Sequence, residues 1–329
     1  MRYRIAGGQF RVPADLPEVD DHPVESRERF YNGFVIRVLK AVLRAQGIAV
    51  TVVGAENLPA TGGALLAMNH TGYYDFIFGE IPGHVRGRRL VRFMAKKEVF
   101  DTPAVGAVMK AMDHVSVDRD KGASSVEEAV GRLRDGQIVG IFPEATISRS
   151  FELKEFKTGA ARIAASAGVP LIPMVTWGSQ RIWTKGRKKN LGRSNVPVFI
   201  HVGAPVDASG TPEEATARLK SAMSELLADA RAAYDAEYGP FEEGLYWRPV
   251  SMGGSAPTLA EADALDVEYR ADKRARRQVK AREQQAREAR REAAREQAAK
   301  AVEKLDRRAD AALGNARGLR DRVVHWWRK

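Results

Sequence analysis

A chain of 329 residues with no cysteine has no disulfide framework, no thiolate metal site and no cysteine nucleophile. It is long enough to bury a substantial core in one large domain or two smaller ones. The net charge of +11 sits at one end: residues 270–329 hold 20 Lys and Arg against 9 Asp and Glu, and subtracting these from the totals of 53 and 42 leaves 33 of each sign before residue 270. The basic character belongs to a tail, so any electrostatic attraction to a partner attaches there.

The opening stretch MRYRIAGGQFRVPADLP lacks the apolar core and small-residue cleavage site of a secretory signal. No stretch approaches the roughly 20 apolar residues of a spanning helix. FYNGFVIRVLKAVLRAQG, residues 30–47, comes nearest and is interrupted by Arg37, Lys40 and Arg44. Read as a helix, it places Phe30, Phe34, Val38 and Val42 on one face and Tyr31, Val35, Leu39 and Leu43 beside them. Such a helix either dips into lipid or packs on the domain that follows. The expectation is an intracellular protein that is not transmembrane.

From Thr51 short apolar runs alternate with longer helical patterns. Strands are expected over residues 51–55, 64–68, 90–95, 114–117, 138–142, 170–176 and 196–202. Helices are expected over 124–136 and 157–168, closed by Gly136 and Gly168, and over 211–239, which opens on an acidic first turn. This alternation predicts an α/β fold: a mostly parallel central sheet of about seven strands flanked by helices, with an N-terminal amphipathic helix and a long C-terminal basic helix. The chain divides into an N-terminal segment (1–48), a catalytic domain (49–250), a linker (251–269) rich at its start in Gly, Ser and Pro, and a helical tail (270–329).

In the tail, Ala298, Val302, Leu305, Ala309, Ala312, Ala316, Leu319, Val323 and Trp326 recur at alternating four- and three-residue steps. Three readings stay open. A basic amphipathic helix suits an anionic membrane surface, where each basic residue contributes ~1 kcal/mol. The 3.5-residue period also suits a homodimer, although alanine packs weakly in a coiled-coil seam. The third reading is a solvated helix. Nucleic acid is not an expected partner, because no aromatic interleaving or recognised motif accompanies the charge.

Chemistry concentrates at MNHTGYYDF, residues 68–76, directly after an apolar run. Asp75 stands five positions after His70, close enough to hold the imidazole in one tautomer and to stabilise its protonated form. The pair alone fits catalysis and helix capping equally well. Arg119 follows another expected strand, and Glu144, Thr146, Ser148 and Arg149 follow a third in IFPEATISRS. Ligands of open α/β sheets bind outside the carboxyl ends of strands, so His70, Arg119 and Glu144 can share one crevice. Arginine's planar fork suits a phosphate. The bland readings are an ion pair for Arg119 and a loop-organising carboxylate for Glu144. Two basic runs, 84–92 and 181–189, suit the phosphates of a donor or an anionic lipid, or are solvated loops; Trp177 and Trp183 beside the second favour an interfacial role there.

Four segments in order resemble the glycerolipid acyltransferase family, which includes 1-acylglycerol-3-phosphate acyltransferases. They are Asn69-His70-Thr71-Gly72-Tyr73-Tyr74-Asp75, VSVDR ending in Arg119, FPEATISR from Phe142 to Arg149, and the run from Val169 to Pro173. MAKKEVFDTPAVG and EFKTGAARIA also resemble the family between and after these blocks, and the likeness covers about residues 50–205. Three positions depart from it: Ala145 and Asp113 stand where glycine is usual, and Ile147 where arginine is usual. These departures fall on the acceptor side and leave the His70/Asp75 pair intact.

The resemblance implies that His70 deprotonates an acceptor hydroxyl, which attacks an acyl thioester without a covalent acyl-enzyme, while Asp75 fixes the ring. It implies substrate contacts at Asn69, Lys96, Arg119, Glu144, Thr146 and Arg149, with Arg119 on the acceptor phosphate. The HTGYYD turn would offer backbone N–H groups to the developing oxyanion. The implied acceptor is a lysophospholipid, with lysophosphatidic acid the leading choice, and the donor is acyl-CoA or acyl carrier protein. No cofactor or metal is expected, since the six histidines show no HExxH-like spacing. The expected location is the cytoplasmic face of the cell membrane. A thioester or ester hydrolase using the same pair, and a non-catalytic membrane scaffold acting through the tail, are the rival readings; no GxSxG elbow is present for a serine route.

Overall fold

The computed structural model describes residues 2–118 and 122–327 and divides into two compact units, Met1–Ala262 and Asp263–Lys329. The first is built on one sheet of nine strands: β1 (Tyr3–Ala6), β2 (Phe10–Pro13), β3 (Ala49–Val53), β4 (Ala64–Met68), β5 (Val91–Lys96), β6 (Val115–Val117), β7 (Ile138–Ile141), β8 (Leu171–Trp177) and β9 (Pro197–Val202). Helices α1 (Ile36–Ala45), α2 (Asp75–Val85), α3 (Lys97–Phe100), α4 (Pro103–Ala111), α5 (Gly122–Arg134), α6 (Gly159–Ala167) and α7 (Pro212–Tyr238) complete it, and α8 (Leu259–Trp327) runs on into the second unit.

The fold is the expected α/β class, but the sheet has nine strands, not seven. The two extra strands form an N-terminal hairpin, with Tyr3 opposite Pro13 and Gly7 and Gly8 at φ +54° and +77° in the turn. Gly-Gly between two short runs is a hairpin signal of its own. β2 then pairs in parallel with β3, so part of segment 1–48 extends the sheet.

Strand order is β1-β2-β3-β9-β8-β4-β7-β5-β6. β8, β4, β7, β5 and β6 all run parallel, and β8 meets β9 antiparallel. The carboxyl ends of those five strands therefore share one edge, with β4 near its middle. All of β4 is buried. Its side chains alternate, Leu65 and Ala67 packing in one apolar cluster with α5, α6 and α7, and Leu66 and Met68 in the other with α1 and α2. Gly79 lets α2 lie close on the sheet, because a Cβ there would meet Met68 Sδ and the Phe93 ring. That contact fixes the helix that carries Asp75.

Residues 30–47 resolve into a π-helical turn, Tyr31–Val35, followed by α1. Their two apolar faces part company. Tyr31, Ile36 and Leu43 are buried, with Val35 and Leu39 packed against them, whereas Phe34 and Val38 remain 60% and 44% exposed. Tyr31 donates to Glu80 Oε2 at 2.9 Å, and the Val91 N–H donates to the same oxygen at 3.0 Å. Burial pushes the Glu80 carboxyl up to about 8 despite these donors.

The basic run 84–92 is not a solvated loop, since Arg86, Arg89 and Arg92 are buried. Arg89 is fully buried, paired with Glu25 and donating to the Pro59, Gly62 and Gly136 carbonyls, and Arg92 is buried on the Met112 carbonyl. Trp177, expected near an interface, lies in the core with its ring 6.3 Å from that of Trp247.

α8 begins at Leu259, inside the stretch expected as linker. Val302 and Leu305 of the tail stripe are exposed. The stripe's side chains from Ala312 to Trp326 lie outside those described. Among the described residues, no helix is long and apolar enough to cross a membrane.

Candidate active site

His70 stands two residues beyond the end of β4, and Asp75 is the first residue of α2. The turn between them wraps around the carboxylate. Asp75 Oδ2 accepts from His70 Nδ1 at 2.9 Å, from the Thr71 N–H at 2.6 Å and from the Gly72 N–H at 2.8 Å. Ser179 Oγ donates to Asp75 Oδ1. The Asp75 side chain is 1% exposed and that of His70 21%. A sealed carboxylate thus holds an imidazole that solvent can reach. With Nδ1 carrying the proton toward Asp75, the lone pair falls on Nε2, the nitrogen available to a substrate.

This geometry shows which member of the pair does the capping. Asp75, not His70, satisfies the backbone donors of the turn, and the His70 ring makes its hydrogen bond to Asp75. It also removes an expectation: the N–H groups of Thr71 and Gly72 are taken by Asp75, and that of Tyr73 by the Trp183 carbonyl at 2.9 Å. These three do not serve as oxyanion donors. Glycine at 72 is needed for the tight wrap, since a Cβ would lie 3.0 Å from the Trp183 carbonyl oxygen and 3.2 Å from Ser179 Oγ.

The segment after β7 holds His70 from the other side. Phe142 stacks on the imidazole with centroids 4.1 Å apart. Glu144 is buried, and both its oxygens accept backbone N–H groups, Oε1 from His70 at 2.8 Å and Oε2 from Lys154 at 3.1 Å. The Ser148 N–H donates to the His70 carbonyl at 2.7 Å. These are the contacts of the loop-organising reading of Glu144. Burial, with the Asp75 charge nearby, pushes its carboxyl up to about 8, the two N–H donors pulling the other way.

The other candidates separate. Asn69 is buried and committed to β8, accepting from the Thr176 N–H at 2.8 Å and donating to the Thr176 carbonyl at 3.1 Å. These bonds tie the end of β4 to β8. Thr146 Oγ1 lies 3.5 Å from Lys185 Nζ, and the Arg149 guanidinium occupies the space a Cβ on Gly186 would need. The middle of the 181–189 run thus joins the loop after β7. Lys96 is exposed at the carboxyl end of β5. Arg119, two residues past β6, lies outside the described residues. Ile147 is buried, so its side chain turns inward where an arginine is usual, and Ala145 adopts a left-handed φ of +55° where glycine is usual.

Two functional neighbours were not legible in the sequence. Phe142 is part of a quoted segment, yet nothing in the pattern says that its ring stacks on His70. Ser179 lies 104 residues from Asp75 and carries no motif of its own; only its place at the carboxyl end of β8, beside β4, could have suggested it. Its Oγ also meets Thr71 Oγ1 at 3.0 Å. Hydrogen bonds to charged groups contribute about 1.5–3 kcal/mol. Ser179→Ala is therefore expected to lower kcat by about tenfold or more with little change in KM for the acceptor. Steady-state kinetics beside Ser179→Thr, which keeps the hydroxyl and should recover part of the loss, checks it.

The comparisons place this geometry. Residues 49–177 match the family model described as Acyltransferase, a span containing His70, Asp75 and Glu144. Over 163 residues the chain is 35% identical to a 1-acyl-sn-glycerol-3-phosphate acyltransferase of Bacillus subtilis, covering 47% of this chain and 77% of that protein. It belongs to the glycerolipid acyltransferase family. Another relative, the 1-acyl-sn-glycerol-3-phosphate acyltransferase of Borreliella burgdorferi, is 28% identical over 57% of this chain and 74% of its own length. A solved structure, the 1-acyl-sn-glycerophosphate (LPA) acyltransferase PlsC of Thermotoga maritima, superposes with a TM-score of 0.46 at 24% identity, over 65% of this chain and 91% of that one. The acyltransferase match ends at Trp177, the last residue of β8, so Ser179 falls just outside it.

Proposed function

We propose that the protein transfers a fatty acyl group from a thioester to the free hydroxyl of 1-acylglycerol-3-phosphate, giving phosphatidic acid. The observation that carries this reading is the Asp75-held imidazole, 2.9 Å from its carboxylate, with Nε2 left for a substrate. His70 Nε2 takes the proton of the acceptor hydroxyl as its oxygen attacks the thioester carbonyl. The tetrahedral intermediate collapses, the C–S bond breaks, and the imidazolium returns the proton to the thiolate, so acceptor, donor and base balance without a covalent enzyme intermediate. Asp75 holds the ring tautomer and stabilises the imidazolium. Arg119, Lys96, Thr146 and Arg149 are the candidates for the acceptor phosphate, with Lys185 joined to them through Thr146.

The donor is acyl-CoA or acyl carrier protein. The protein works at the cytoplasmic face of the cell membrane as a peripheral protein. The exposed stripe Phe30, Phe34, Val38 and Val42 enters the apolar layer, and the basic tail adds attraction to an anionic surface. The family relatives named for this reaction support the choice of acceptor.

The test is incubation of the purified chain with labelled acyl-CoA or acyl carrier protein and a panel of lyso-lipids. Transfer dependent on lysophosphatidic acid is the expected result. Release of free fatty acid without any acceptor would replace transfer by hydrolysis, and failure with both donors on every acceptor would end the reading.

A further inference from the structure

A cleft of about 570 Å³ opens among the β1–β2 hairpin, the start of α1 and the end of α2 remote from Asp75. Its wall shares no residue with the His70 site. His84, which lines it, follows Asp75 by nine residues, about 13 Å along the helix at 1.5 Å per residue. Four basic side chains line it: Arg4, Arg37, Lys40 and Arg88. Glu18 and Asp21 line it too and match two of them, Asp21 accepting from Arg88 at 3.1 Å and Glu18 lying 3.8 Å from Arg4. Arg37 and Lys40 have no acidic partner among the described residues. Burial and the surrounding cations Arg44, Arg88 and Arg37 pull the Lys40 ammonium below its ordinary value. The two cations left over, Arg37 and Lys40, repel one another until an anion enters.

What lies beside the cleft says which anion. Phe34 and Val38 stand exposed on the helix that carries Arg37 and Lys40, and Ile5, 60% exposed, lies on the cleft's own wall. Apolar side chains that enter a membrane set neighbouring Arg and Lys at the level of the head groups. We propose that this cleft binds the phosphate of an anionic phospholipid head group, a second lipid site apart from the acyl-transfer centre. The proposal uses the membrane placement of α1 given above, and adds to it a site of defined stoichiometry.

The test uses the full chain and dihexanoylphosphatidylglycerol, a water-soluble short-chain phospholipid, followed by titration calorimetry. Three proteins are compared: wild type, Arg37→Gln with Lys40→Gln, and Arg44→Gln, which changes a cation of the same helix that is not part of the cleft's lining. Saturable one-to-one binding is expected in wild type and Arg44→Gln, weakened at least tenfold in the double variant, at about 1 kcal/mol per basic residue. Equal loss in Arg44→Gln would reduce the effect to general surface charge and overturn the site, as would unchanged binding in the double variant. Displacement by inorganic phosphate at the same concentration as the lipid would make free phosphate the ligand and overturn the lipid assignment. Phe34→Ser, scored by binding to phosphatidylcholine vesicles, reports on α1 docking alone. Acyl transfer in detergent, expected to be unchanged in the double variant, reports on the reaction alone, so the readings fail separately.

Discussion

Replacing His70 with alanine will lower acyl transfer by about 10²–10⁴-fold, the contribution of a positioned general base, while leaving the fold in place. The ring makes its hydrogen bond to Asp75 alone, whereas the structural links of residue 70 run through its backbone: the N–H to Glu144 and the carbonyl from Ser148. Alanine keeps both. The check is product formation from labelled donor with lysophosphatidic acid, beside a thermal melt of the same sample. A variant that melts like wild type and transfers at the wild-type rate would remove His70 from the mechanism. His70→Gln should be nearly as poor, since an amide can accept a hydrogen bond but cannot take the proton.

The second large effect is expected at Glu144, and it separates two roles. Were this carboxylate an acceptor contact, its removal would raise KM and spare stability. Because both oxygens accept backbone donors in a buried setting, Glu144→Ala removes the carboxylate that the His70 and Lys154 N–H groups donate to, at about 1–3 kcal/mol each. Tm should then fall by about 2–4 °C for every kcal/mol lost. Loss of the link to the His70 N–H also frees the base from its place, so kcat should fall about tenfold or more with little change in KM. A raised KM with an unchanged Tm would return Glu144 to the acceptor.

The same group gives the fold a pH signature. Folded, the carboxyl keeps its proton to about pH 8, while the unfolded chain releases it near ~4.3. Between these values the folded state binds more protons, so stability falls as pH rises, by about 1.4 kcal/mol per pH unit for each such group. Glu80, also pushed up to about 8, acts in the same direction. Below about pH 6.5 the buried His84 and His114, held neutral to about 4 and about 3, oppose it, because there the unfolded chain takes up their protons. The net decline is therefore expected between about pH 6.5 and 8, and Glu144→Gln should make it shallower in melts recorded across that window.

Much of this architecture is legible in the sequence because the parallel strands are buried on both faces and read as unbroken apolar runs. ALLAM is β4 to the residue, and IVGIF overshoots β7 by one. The N-terminal hairpin was missed because its strands are four residues long and carry arginines. The His70/Asp75 pair is local and was visible; its support is not. Ser179, Phe142 and the two backbone donors on Glu144 meet only through tertiary contact, and no spacing records such contacts. The run 84–92 misled for a related reason: charge marks a solvated surface only when nothing inside can satisfy it, and here Glu25 and three carbonyls satisfy Arg89.

Ala145 and Asp113 take φ of +55° and +60°, at two positions where the family usually places glycine. The chain makes both turns without the residue that eases them. Each strains an L-residue by roughly 1–2 kcal/mol, and the neighbouring chain compels the shape all the same: Ala145 donates to the Phe142 carbonyl at 3.0 Å, and Asp113 to that of Lys110 at 3.0 Å. A signature written with glycine would pass over chains like this one. One written as a left-handed turn three residues beyond the phenylalanine on His70 would include it.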